Sequence, residues 1–167
     1  MPWFDDTIVV DTGSTDRTAI VAAECGAKIR TAVMNYGFAA ARNAGLDAVV
    51  TEWFFVLDAD EWPTLELLAQ IKIFVQDSRS HQYESGILWR ENKVGECEPV
   101  LEKHTRLFKA HMRYQGRVHE AIPVGWPGVE FPKEALLLHH KSWERQKAQD
   151  KLYAEMYKDE AVCSTTF

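Results

Sequence analysis

The sequence predicts an α/β domain with a mostly parallel, Rossmann-like sheet flanked by helices, and three observations predict it. Short runs rich in β-branched or aromatic residues, Thr7-Ile8-Val9-Val10 and Trp53-Phe54-Phe55-Val56-Leu57, read as buried strands. Segments of helical character alternate with these runs and with a third, Ala27-Lys28-Ile29-Arg30. Such alternation requires parallel strands joined by crossover helices, whose ligands bind beyond the carboxyl ends of the strands. The third observation is that acids, Asp11 and Asp58, stand at two of those ends.

The elements follow in order. After Asp11 the turn residues Thr12-Gly13-Ser14 lead to Asp16, which can cap a helix running to Cys25 and closed by Gly26. A loop containing Asn35-Tyr36-Gly37 precedes an alanine-rich helix over residues 38–50, favoured by propensity despite Gly45. Trp53 to Leu57 is apolar on both faces, as a central parallel strand is. Residues 64–77 predict a further helix and residues 83–90 a strand. Residues 105–109 and 112–114 predict a hairpin around Ala110-His111, and 135–138 a last strand running into His139-His140. Residues 143–160, rich in Lys, Gln and Glu, predict a polar helix. The expected domain spans residues 1–160, with a frayed tail over 161–167.

With 167 residues, 46% of them hydrophobic, the chain can bury a core without covalent staples. A formal net charge of -6 provides no broad field for phosphate backbones, which excludes nucleic acid as the main partner. Any anion must be bound locally. The three cysteines, Cys25, Cys97 and Cys163, are far apart and lack the close pairing of zinc or redox motifs, so they read as reduced thiols. No stretch approaches the roughly 20 apolar residues of a membrane-spanning helix, and residues 1–6 lack signal-peptide character. The expected location is cytoplasmic.

Asp58-Ala59-Asp60-Glu61 places three carboxylates in four residues directly after an apolar strand. Clustered acids repel, and a hard divalent cation that takes oxygen ligands would neutralise them, leaving open positions for substrate phosphates. A solvated acidic turn that merely ends a strand is the alternative. Asp11 opens a second such turn, where a carboxylate can accept from a nucleobase N–H and helix-start amides can bind an anion. A plain capped turn is the alternative there.

Val9-Val10-Asp11-Thr12-Gly13-Ser14-Thr15-Asp16-Arg17-Thr18, Phe38-Ala39-Ala40-Ala41-Arg42-Asn43 and Leu57-Asp58-Ala59-Asp60-Glu61 resemble three ordered motifs of family 2 glycosyltransferases. The similarity continues through Thr105-Arg106-Leu107-Phe108, Gly116-Arg117-Val118-His119-Glu120 and Leu138-His139-His140. It is to the bacterial branch whose members often carry tandem helical repeats after the catalytic domain. The resemblance implies a fold of the GT-A type and inverting transfer of a sugar from a nucleotide diphosphate donor to an acceptor hydroxyl, with Mn2+ or Mg2+ on the diphosphate. It implies that Asp11 contacts the nucleobase, Arg42 the nucleotide or its phosphates, and Asp58 the ribose or the metal. Asp60 would hold the metal. His139 or its neighbour His140 resembles the histidine that completes the metal site in many proteins of this fold, with His139 the one assigned and a packing role the alternative.

Inversion needs a general base, and Glu120 is the first choice, with Glu61 behind it. Arg106 could contact phosphate or acceptor, although an arginine in a strand is usually a surface ion-pair partner. The acceptor, whether glycan, lipid or protein, is not legible.

The first strand of the family and its following turn and helix have no counterpart, since residues 1–6 resemble only the tail of that helix. The expectation is an N-terminally truncated domain with unpaired strand edges through which the chain self-associates. Two rival readings stand beside the transferase. One is an inactive, transferase-derived binding module. The other is an aspartic protease, because Asp11-Thr12-Gly13-Ser14 after two valines matches the active-site turn of those enzymes, although the helical pattern that follows argues against it.

Overall fold

The computed structural model describes residues 3–33, 37–116, 120–123, 125 and 127–163, without the side chains of Leu152 and residues 155–163. The expected Asn35-Tyr36 loop, the Arg117-Val118-His119 part of the Glu120 turn and the end of the frayed tail lie outside the described residues. The order is β1 (Ile8–Asp11), α1 (Thr18–Glu24), β2 (Lys28–Thr31), α2 (Phe38–Leu46), β3 (Trp53–Phe55), β4 (Glu61–Pro63) and α3 (Leu65–Gln76). A 3-10 turn (Ser78–Gln82), β5 (Ser85–Val94), β6 (Val100–Lys109), β7 (Gly128–Glu130), β8 (Leu136–Lys141) and α4 (Trp143–Cys163) complete it.

The first half follows the predicted alternation. β1 and β2 pair in parallel around the crossover helix α1, which begins where Asp16 Oδ1 accepts from the backbone N–H and the hydroxyl of Thr18 at 2.9 and 2.6 Å. A helix entered from the Asp11 turn is incompatible with the β-rich continuation that a protease turn needs.

The mostly parallel sheet is corrected. β1 and β2 form a separate two-stranded sheet, and the larger, six-stranded sheet runs β3-β6-β5-β8-β4 with β7 beside β5. Its pairings are mixed: β3–β6, β5–β6 and β4–β8 are antiparallel, whereas β5–β7 and β5–β8 are parallel. The reason is the short connection at Gly95 (φ 56°) between β5 and β6, too short for the crossover that parallel neighbours need. The expected hairpin over 105–114 is likewise replaced: β6 begins at Val100 and pairs back to β5, and Met112 to Tyr114 form no strand. Among the described residues no strand joins β1 to β3, so each keeps one edge without a strand partner there.

α2 connects the two sheets. On one side Gly45 meets β1 so closely that a Cβ would lie 2.7 Å from Val10 Cγ2. On the other, Ala39 and Leu46 join Phe54, Phe108, Met112 and Tyr114 in one apolar cluster. A second cluster, with Leu67 and Ile71 of α3 against Trp53, Leu88, Leu107, Phe131 and Leu137, covers the larger sheet. Thr64 fixes α3 to β8, its N–H and hydroxyl both donating to the Leu136 carbonyl while its oxygen caps Leu67. Among the described residues no helix is long and apolar enough to cross a membrane, and Cys25 and Cys97 are free and exposed. The Cys163 side chain lies outside the described residues.

Gly86 sits at the irregularity in the β5–β6 ladder, where a Cβ would stand 2.7 Å from Phe131 Cε2 and 3.0 Å from Leu107 Cβ. Gly86→Ala should therefore lower stability by about 1–3 kcal/mol, the usual cost of overpacking, measured as a shift in urea midpoint.

Candidate functional site

The turn that leaves β3 is tied to the sheet by Glu61. The Glu61 N–H donates to the Asp58 carbonyl at 3.0 Å, and the Asp58 N–H donates back to Glu61 Oε2 at 3.0 Å. Strand register places Glu61 opposite His139 on β8, and His139 opposite Asn92 on β5. Opposed residues share a sheet face, so acid, imidazole and amide form one row, with Arg90 two residues before Asn92 on the same face. The Glu61 side chain is 0% exposed, and a carboxylate so buried needs charged partners. It has two: Arg90 Nη1 at 3.3 Å and Arg106 Nη2.

Arg106 is itself buried, and the same Nη2 donates to Asp58 Oδ2 at 2.8 Å. The other Asp58 oxygen accepts from Arg42 Nη2 at 2.9 Å, and Arg42 Nε donates to Glu120 Oε1 at 2.7 Å. Burial would raise the Asp58 pKa, but the guanidiniums of Arg106 and Arg42 outweigh it and hold the carboxyl below its ordinary range. Burial likewise opposes the charge of Arg42, yet Asp58 and Glu120 hold its pKa above the usual arginine value. Arg42 lies 5.4 Å from the centre of the Tyr114 ring, and burial pushes the Tyr114 phenol up to about 12. Asn43 locks that neighbour in place, its Nδ2 donating to the Tyr114 carbonyl and its Oδ1 accepting from the Tyr114 N–H, both at 2.9 Å. Arg42, Arg106, Tyr114 and Glu120 line a cavity of about 410 Å³ whose apolar wall includes Ile87 and Ile122.

Asp60 points elsewhere. Its Oδ2 is 3.5 Å from His139 Nε2 and 3.9 Å from Arg145 Nε. His139 shares the inward face of β8 with Leu137 and is 6% exposed, whereas His140 alternates outward to Glu91 at 2.8 Å. Burial, with Lys141 and Arg90 nearby, holds the His139 pKa below the usual imidazole value. The second histidine of the pair is thus the outward one.

Asp11 stands apart from this network. It accepts from the Ser14 N–H at 3.1 Å, and the hydrogen bonds of Ser14 keep its carboxyl below the ordinary value. With Thr12, Gly13, Thr31, Ala32 and Val33 it lines a separate cavity of about 370 Å³ at the carboxyl ends of β1 and β2. The contacts of the described residues group Asp58 with Arg42, Arg106 and, through Arg42, Glu120, and Asp60 with His139, while Asp11 lines the other cavity. Among the described residues there is no group of three or more His, Cys, Asp and Glu side chains placed to hold a metal ion. Glu61 is corrected as a reserve base, because its carboxylate is buried and engaged by two arginines. Arg106 is corrected from a surface ion-pair partner to a buried one.

The chain matches glycosyl transferase family 2 over residues 4–128, most of its length. It belongs to that family. The chain is also similar to a TPR repeat-containing protein of Synechococcus elongatus (strain ATCC 33912 / PCC 7942 / FACHB-805), with 33% identity over 120 residues. That stretch covers 71% of this chain and 29% of the cyanobacterial protein, so the match spans under a third of that relative.

Sequence reasoning did not assign Arg90, Asn92 or Asn43. A usable signal existed for one of them: Asn92 is a residue that strands disfavour, and a polar side chain so placed needs a partner.

Two outcomes are expected from these contacts. Arg106→Met leaves Glu61 underpaired and should cost about 3–5 kcal/mol in urea unfolding, with part of the loss recovered in Arg106→Met/Glu61→Gln. The depressed Asp58 carboxyl adds stability above the ordinary carboxylate value of about 4, lost as pH falls through its lower folded pKa. Asp58→Asn should flatten that acid limb of the stability profile.

Proposed function

We propose that this domain transfers a sugar from a nucleoside diphosphate sugar to an acceptor hydroxyl with inversion. The observation that carries this reading is the bridge made by Arg42 between Asp58 and Glu120, in a chain of the glycosyl transferase family. One guanidinium links the acid assigned to the donor with the acid assigned to the acceptor. The acceptor oxygen attacks the anomeric carbon from the face opposite the leaving group, and its proton passes to a Glu120 carboxylate oxygen. The bond from the anomeric carbon to the diphosphate oxygen breaks, and the nucleoside diphosphate leaves. Arg42, drawn to the phosphates as charge gathers there, releases Glu120 to act as base. Asp11, with the amides of its turn, is assigned to the nucleobase.

Asp60 Oδ2 and His139 Nε2, an oxygen and an imidazole nitrogen 3.5 Å apart, fit two ligands of one divalent cation. Bound there, Mn2+ or Mg2+ supplies positive charge against the leaving diphosphate. Asp58, both of whose oxygens are held by arginines, is assigned to the ribose side.

The acceptor is a glycan, lipid or protein, and the assigned location is cytoplasmic. The edges of β1 and β3 that have no strand partner among the described residues support self-association by strand pairing. A sedimentation coefficient that stays that of a monomer at every concentration would remove that part of the reading.

Glu120→Gln should lower kcat on the order of 10²–10⁴-fold while leaving donor binding intact, measured by release of nucleoside diphosphate. Asp60→Ala should abolish the manganese dependence of nucleotide binding in calorimetry with little change in urea midpoint. Binding without turnover in the parent chain would favour the inactive module, and no nucleotide binding at all would overturn the transferase reading.

A further inference from the structure

Building on the cation site read above, we infer that Asn92 is a positioning residue that sets the ring of His139 so that Nε2 faces Asp60 as a cation ligand. Asn92 and His139 are Cα partners in the parallel β5–β8 ladder, so their side chains rise from the same face of adjacent strands. The Asn92 Oδ1 lies 3.0 Å from His139 Nδ1. An amide oxygen only accepts, so Nδ1 carries the proton in that pair and the lone pair of the neutral ring resides on Nε2.

Nε2 then faces Asp60 Oδ2 at 3.5 Å, beyond hydrogen-bond geometry, with one electron-rich atom opposite another. Ligands held about 2.0–2.1 Å from a small divalent cation lie roughly 2.8–3.4 Å apart across octahedral and tetrahedral angles. The observed spacing of 3.5 Å lies just above that range, a small side-chain adjustment away from it. Among the described residues no competing group claims Nδ1, because Glu61, on the opposite side of His139, is turned to Arg90, Arg106 and the Asp58 N–H. Asparagine is disfavoured in strands, and this hydrogen bond gives one a reason to stand there. A partner on the far nitrogen of a ligating histidine is also how metal sites orient the ring.

The full chain, labelled with 15N, tests this without turnover. In the absence of metal, long-range 1H–15N correlations of His139, assigned by difference from His139→Gln, should show the Nδ1–H form. Asn92→Ala should lose that preference and Asn92→Asp should keep it. Calorimetric titration with Mn2+ should give an affinity about 10–100-fold weaker for Asn92→Ala and restored by Asn92→Asp, with the urea midpoint monitored in each. An Nε2–H form in the parent, or equal Mn2+ affinity in the parent and Asn92→Ala, overturns the role of Asn92 alone. A parent that binds no Mn2+ overturns the cation site itself, and with it the part of the proposed function built on that site.

Discussion

A carboxylate with no exposed side-chain surface has to be neutralised, and the Glu61 carboxylate organises this half of the molecule by that requirement. Its oxygens gather Arg90 from β5, Arg106 from β6 and the backbone N–H of Asp58. Three strands are thereby referred to one point. Because Arg106 passes from Glu61 to Asp58, the acid at the end of β3 takes its position from a group buried beneath it. The acidic turn is therefore not a set of equivalent carboxylates. Glu61 is structural, Asp58 is held by arginines, and Asp60 is the one left to His139.

α2 carries the second constraint. Gly45 allows the helix to touch Val10 of β1, while the opposite side of the helix packs on Phe54 and Phe108. The same helix presents Arg42 to Asp58 and Glu120, and Asn43 to the Tyr114 backbone. Packing of one helix thus positions both ends of the Arg42 bridge. It also holds the small β1–β2 sheet, which shares no strand pairing with the larger sheet among the described residues.

Asp11 lines one cavity with residues of β1 and β2, and Arg42 and Glu120 line another with residues of the larger sheet. Family membership and geometry support each other here at different levels. The family match concerns the class of protein, and the side-chain network concerns which residues of this chain meet. The match to a TPR repeat-containing protein covers only a fraction of that relative, so the domain is comparable with one part of it.

Local sequence determined the first half of the fold, because its information is short-range: β-branched runs, the alanine-rich helix and acids after strands. The N-cap of α1 is nonetheless Arg17, and Asp16, expected there, stands just before it and accepts from Thr18. Local sequence also singled out Asp58 and Asp60, whereas Arg42, Glu120 and His139 were assigned through the resemblance to the family. Partnership was beyond it. Arg106 looked like an exposed strand arginine, and the long β5–β6 hairpin was missed because the polar stretch around Glu96 to Lys103 has no apolar period. Only the tertiary structure decided that β6 runs antiparallel between β3 and β5, that Glu61 is buried, and that Asn92 lies beside His139. The physical reason is that desolvation and strand register are properties of segments 30 to 80 residues apart once packed, as Arg42 with Glu120 and Glu61 with Arg106 illustrate.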